Sequence, residues 1–150
     1  LVEVGGELHG FGLKPDGQPW RVLVESAPED DAQAEHPPRV LALRDRAVAT
    51  SGDRWHHFEQ GGEQFSHTLD PRTGAPVTRA AAAVTVVAAS AMQADAWATA
   101  LTVMGPGEGI AFARTHALAA RVVSRGAHGI EEHMSPAFQQ LLADDRVGAA

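Results

Sequence analysis

The sequence predicts an α+β fold, a largely antiparallel sheet packed with helices, and three observations carry that expectation. Short segments of alternating apolar and polar residues, punctuated by Gly and Pro, fill residues 1–89. Helical periodicity begins only at Ser90. The 150 residues, 44% hydrophobic and 21% charged, suit one domain with a real core. Strands first and helices later is the order of an α+β layer.

Residues 1–4 and 7–12 alternate around Gly5-Gly6, which reads as a bulge or a close backbone approach. Lys14-Pro15-Asp16-Gly17 has turn chemistry and residues 20–25 (WRVLVE) alternate again, so these two strands are expected to pair as a hairpin. Residues 28–38 (PEDDAQAEHPP) are acidic and proline-bounded, a solvated loop. Residues 39–48 hold two strand-like pieces and run into Ala49-Thr50-Ser51-Gly52. A second hairpin follows, its arms at 54–59 and 63–69 joined by Gly61-Gly62, which tolerate positive φ.

Residues 82–89 (AAVTVVAA) read as a buried strand because Val84, Val86 and Val87 are β-branched. Ser90 opens a helix with Gln93 three residues on, a capping-box pattern, and Gly105-Pro106 stops it. Ala94, Trp97, Ala98 and Leu101 recur as a buried stripe should. A second helix is expected over 107–117 and strands over 121–124 and 129–134. Ser135-Pro136, an N-cap with proline at N1, opens a short helix through Leu142.

Composition removes several classes of function. A net charge of -7 gives no basic face for nucleic acid or anionic lipid, so no nucleic-acid partner is expected. A phosphorylated ligand would need a metal ion or backbone N–H groups to hold it. The chain has no cysteine, which excludes disulfides, thiolate catalysis and cysteine-based metal sites. No apolar run approaches the ~20 residues of a membrane span. The chain opens on Leu1 without a methionine, inside an alternating strand, and is expected to be a portion of a longer protein.

A few residues could carry chemistry. Asp95 and Thr99 stand at i and i+4, which brings a carboxylate and a hydroxyl within about 5–6 Å at Cβ on one helix face. Both are oxygen donors of the kind Mg²⁺ takes together with phosphate oxygens. The plainer reading is a solvated helix acid favoured by the macrodipole, with Thr99 as filler. In the segment SHTLDPRTGAP, Asp70, Pro71, Thr73 and Gly74 can all be turn builders, whereas His67 has no turn-building job. Taken alone, His67 also fits a satisfied structural histidine. Thr50-Ser51-Gly52 and Gly5-Gly6 are small, backbone-exposing stretches of the kind that line a ligand cleft, and that also occur in ordinary turns. The other histidines lack metal-ligand spacing, and His56 and His57 point to opposite faces of a strand.

Taken in order, GGE (5–7), PW (19–20), AVATSGD (47–53), SHTLDPRTGAPV (66–77), VTVVAASAMQADAWATAL (84–101) and VMG (103–105) resemble the C-terminal half of the ApbE family, FAD:protein FMN transferases. The resemblance runs from residue 1 to about 142 and makes residues 1–150 the C-terminal portion of such a domain. It implies cleavage of FAD and transfer of FMN, through its phosphate, to a threonine or serine hydroxyl of an acceptor flavoprotein, with release of AMP. It implies Asp95 and Thr99 as Mg²⁺ ligands, completed by a backbone carbonyl from an upstream lobe with a lysine-glycine segment. It implies His67 as the histidine that orients or deprotonates the acceptor, a role open to a group with a reference pKa of ~6.5. Gly5, Gly6, Thr50, Ser51 and Gly52 match the stretches lining the flavin nucleotide pocket. Location in the bacterial periplasm or at the inner membrane is implied in the same way.

Two departures stand out. Arg54-Trp55 occupies the place where members often carry a tyrosine, and Thr68 that of the usual isoleucine after the histidine. Three further readings stay open at this point: hydrolysis of FAD to FMN and AMP, a non-catalytic flavin-binding module, and a partner that completes a site with another polypeptide.

Overall fold

The computed structural model describes residues 1–24, 39–52, 57–60, 63–77, 81–126 and 129–143. The acidic stretch 28–38, the Gly61-Gly62 turn and the Arg54-Trp55 substitution lie outside them. The central element is an antiparallel sheet of six strands in the order β1 (Val2–Val4), β2 (Glu7–Gly10), β5 (Arg46–Gly52), β8 (Ala83–Ala88), β9 (Ala119–Gly126) and β10 (Gly129–Met134). Two smaller antiparallel pairs accompany it, β3 (Trp20–Val24) with β4 (Arg39–Leu43) and β6 (His57–Gln60) with β7 (Glu63–Ser66).

Helices α1 (Ala91–Met104) and α2 (Pro106–Thr115) cover one face of the large sheet. There Ala98, Leu101, Ile110 and Ala113 pack on Val84, Val86, Ala120 and Val122. The β3–β4 pair and α3 (Pro136–Gln139) cover the other face, where Val22, Val24, Leu41, Leu43 and Phe138 meet Val48, Val87 and Ala119. Strand β8 is a nearly continuous apolar run because both of its faces are buried, and β9 is likewise buried from residue 119 to 124.

Helix α1 starts where its cap requires, the Ser90 side chain accepting from the Gln93 N–H at 3.3 Å. It ends at Gly105, whose φ of 82° few other residues adopt and whose N–H reaches the Leu101 and Thr102 carbonyls. The expected stripe is present, with Ala94, Ala98 and Leu101 buried and Trp97 partly so. Among the described residues no helix is long and apolar enough to cross a membrane.

Four expectations need correction. Gly5-Gly6 is not a bulge but a two-residue hairpin turn between β1 and β2, with φ of 68° and 105° as a type I′ turn demands. Strands β2 and β3 do not pair, because both edges of β2 are already taken, by β1 and by β5. The turn at residues 14–17 does form, closed by Gly17 N–H to Lys14 O at 2.9 Å, but it sends the chain across to pair β3 with β4. The arm carrying the SHTLDPRTGAP segment ends at Ser66 rather than at residue 69, and α3 ends at Gln139 rather than Leu142.

Candidate functional site

Strand β2 follows β5 only from Gly10–Arg46 to Leu8–Val48. Beyond that pair β5 continues through residues 49–52 hydrogen-bonded to β8, while β2 turns back through Gly5-Gly6. The divergence opens a cleft of about 680 Å³, and every candidate residue read from the sequence lines it.

Gly5 and Gly6 form one rim, their turn braced by the Gly6 N–H donating to Glu3 Oε1 at 2.9 Å. Thr50, Ser51 and Gly52 form the wall that β5 supplies. Gly52 is needed for close approach rather than for an unusual φ: a Cβ there would stand 2.4 Å from the Ala82 carbonyl oxygen.

Asp95 and Thr99 face the cleft from α1, both exposed. Buried Ala94 and Ala98 let the helix lie close on the sheet. Thr102 and Thr115 donate their hydroxyls to the carbonyls four residues back, at 2.9 and 3.0 Å. The Thr99 hydroxyl and the Asp95 carboxylate have no hydrogen-bond or ion-pair partner among the described residues. Asp95 also stands beyond the first turn of α1, which holds no acid, so the macrodipole does little to account for it.

His67 reaches the same cleft from the strand end, exposed between buried Ser66 and Thr68. The turn behind it is closely built. Asp70 Oδ1 accepts from the Arg72 N–H at 2.8 Å, and Gly74 N–H donates to Asp70 O at 2.7 Å. The Arg72 guanidinium grips the Asp70 carboxylate at 2.8–3.2 Å and holds its pKa below the usual carboxylate range. Thr73 Oγ1 accepts from the Ala75 N–H at 3.2 Å. Asp70, Arg72, Thr73 and Gly74 are therefore occupied in holding the turn, and His67 is the group it presents.

Thr85 and Arg21 are among the cleft residues that escaped the sequence reading. Thr85 lies within the apolar run of β8, 1% exposed, with its hydroxyl 2.9 Å from that of Thr50. Its only signal was a lone hydroxyl among valines. Arg21, an outward position of β3, brings a guanidinium to a wall that otherwise carries Glu3, Glu7 and Asp95. A cation beside the phosphate would offset the repulsion of so acidic a wall.

Among the described residues no group of three or more His, Asp and Glu side chains is placed to hold a metal ion. The donor chemistry of Asp95 and Thr99 nevertheless fits a hard divalent cation. One carboxylate and one hydroxyl, both uncommitted and both open to the cleft, leave positions for phosphate oxygens and water.

Comparison with known proteins identifies the family and the fold. The model of the ApbE family matches residues 1–122. The FAD:protein FMN transferase of Vibrio cholerae is 37% identical over 143 residues, 95% of this chain and 42% of the relative. That of Escherichia coli K12 is 34% identical over 146 residues, 97% of this chain and 41% of the relative. The chain thus spans about two-fifths of the length of these curated relatives.

The apo Pseudomonas stutzeri flavinyl transferase ApbE superposes with a TM-score of 0.77 at 41% identity, covering 93% of this chain and 42% of that one. The Thermotoga maritima ApbE protein gives 0.75 at 30%, covering 95% and 44%. The antiparallel sheet packed with helices agrees with those structures, and the chain belongs to the ApbE family.

Proposed function

We propose that this chain carries the metal-binding and acceptor-activating side of a flavin transferase site, which moves FMN from FAD to a threonine or serine hydroxyl of an acceptor flavoprotein. The observation that carries the reading is the convergence of an uncommitted Asp95–Thr99 pair, His67 and the small-residue wall of β5 on one cleft. In this proposal residues 1–150 are the C-terminal portion of the transferase domain. Sequence outside them completes the pocket, in the exported setting that the family resemblance implies.

Each residue has a definite task. Asp95 and Thr99 would hold Mg²⁺, which when bound neutralises pyrophosphate oxygens and the charge that develops on departing AMP. Gly5, Gly6 and Gly52 bring backbone close to the nucleotide, and Thr50 and Ser51 offer it hydroxyls. His67 orients the acceptor hydroxyl and takes its proton as oxygen attacks the FMN phosphorus and the bond to AMP breaks. Without a bound acceptor, water in the same place would give FMN and AMP.

Incubation of the full-length protein with FAD, Mg²⁺ and a threonine-bearing acceptor tests the reading, with mass spectrometry as the readout. An FMN adduct with equimolar AMP is expected. AMP and FMN without adduct would replace transfer by hydrolysis, and neither product would overturn catalysis altogether.

A further inference from the structure

Thr50 and Thr85 stand opposite each other in the β5–β8 ladder, their hydroxyl oxygens 2.9 Å apart, and both line the cleft. Their surroundings differ sharply. Thr85 is 1% exposed, whereas Thr50 is open to the cleft. Either hydroxyl could donate by distance alone, but burial decides the direction.

A hydroxyl carries one proton and two lone pairs. Among the described residues the Thr85 hydroxyl has Thr50 Oγ1 as its hydrogen-bond partner and no other. Were Thr50 the donor, the Thr85 proton would be buried with no acceptor, the costly arrangement that folded proteins avoid. Thr85 therefore donates and Thr50 accepts. Because Thr50 Oγ1 is fixed as the acceptor of that bond, its own proton is turned away from Thr85.

We infer that Thr85 is a positioning residue: it holds the Thr50 hydroxyl as a hydrogen-bond donor aimed into the cleft, toward an acceptor oxygen of the bound flavin nucleotide. This rests on the function proposed above, and it adds a polarity to the site. Thr50 reads an oxygen that accepts, either a carbonyl of the flavin ring or a phosphate oxygen. A plain cross-strand threonine pair would instead stabilise the sheet and leave binding alone.

The test is titration of the full-length protein with FAD, FMN, riboflavin and AMP, followed by flavin fluorescence or calorimetry. Thr85→Val keeps the shape of the side chain and removes its proton. It should weaken FAD binding about tenfold, roughly 1.4 kcal/mol, at an unchanged unfolding midpoint. Thr85→Ser, which keeps the donor, should restore it. Thr50→Val should lose a similar factor, and the double variant should be no weaker than Thr50→Val alone. An equal loss for riboflavin and FMN identifies a ring carbonyl; a loss confined to FMN and FAD identifies a phosphate.

Unchanged binding in Thr85→Val, additive losses in the double variant, or failure of Thr85→Ser to restore affinity would each overturn the inference. Should the wild-type protein bind no flavin nucleotide, the proposed function falls with it; a wild type that binds beside an indifferent Thr85→Val removes this inference alone.

Discussion

The Cα of Gly52, at the end of β5, lies so near the Ala82 carbonyl oxygen ahead of β8 that a Cβ at 52 would come within 2.4 Å of it. The same added atom would stand 3.1 Å from the Ala83 Cα. Both obstacles are backbone, so no side chain can swing aside. The glycine that lines the cleft thereby also sets the spacing of the two strands that frame it.

Gly52→Ala should accordingly strain the β5–β8 ladder at the cleft end. A cost of about 1–3 kcal/mol is expected, as for other overpacked sites. It would be read as a lower urea midpoint at unchanged slope. Flavin affinity should fall with it, since the ladder positions Thr50 and Ser51. A variant as stable and as tightly binding as the wild type would show that the two strands separate freely here.

Arg121, 1% exposed on β9, donates through Nε to Glu132 Oε1 on β10 at 2.6 Å, and Arg39 on β4 reaches the same carboxylate. Burial pushes the Glu132 pKa up, but the hydrogen bonds from Arg39 and Arg121 outweigh it and hold the group below its ordinary 4.5. A depressed folded-state pKa contributes stability above the unfolded value, and that contribution is lost as pH falls through 4.5 toward the folded value.

Glu132→Gln would take from the buried Arg121 guanidinium the carboxylate it pairs with on β10, and breaking a buried pair costs about 3–5 kcal/mol near neutral pH. Urea midpoints measured across acid pH should then fall less steeply for the variant than for the wild type. Parallel curves would mean that Glu132 takes no part in acid unfolding.

Asp95 and Thr99 make the metal prediction specific. Asp95→Ala should abolish Mg²⁺ dependence and cut transfer by 100-fold or more, a loss of about 3 kcal/mol in barrier stabilisation. Thr99→Val should weaken metal affinity and Thr99→Ser should restore it, because only the hydroxyl oxygen is asked to bind. Mn²⁺ binding followed by electron paramagnetic resonance gives a readout independent of turnover. Equal Mn²⁺ affinity in wild type, Asp95→Ala and Thr99→Val would remove the metal site from this face of α1.

What the sequence made legible was local. The Ser90 cap, the Gly105 stop and the β-branched run of β8 each depend on neighbours a few residues away, and each stands where expected. The i, i+4 spacing of Asp95 and Thr99 is equally local. Strand pairing is not: the turn at residues 14–17 looks like a hairpin turn whichever edges are free, and the claim of β1 on β2 is visible only once the sheet is assembled. Gly52 looked like one more small residue because its obstacle, Ala82, is thirty positions away. Thr85 was lost inside an apolar run, and the partner that gives it meaning sits across the ladder. Arg121 read as a strand end and proves to be a buried cation, since Glu132 arrives from the next strand.

His67 carries the last prediction. It sits exposed at the cleft between two buried neighbours, ahead of a turn whose polar groups are already engaged with one another. The turn is closed by its own groups and the imidazole is exposed beside it, so His67→Ala should leave FAD affinity nearly unchanged. Transfer should slow by about 10²–10⁴-fold, the usual worth of a positioned general base. Added imidazole should restore part of the lost rate in His67→Ala and none in Asp95→Ala, because a small diffusible base replaces a proton acceptor but not a metal ligand. Asp70→Ala separates the two kinds of role in this segment: loosening the turn should lower transfer less than His67→Ala does, with no response to imidazole. A His67→Ala enzyme that transfers at the wild-type rate would return the histidine to a structural part, and the acceptor proton would have to leave by another route.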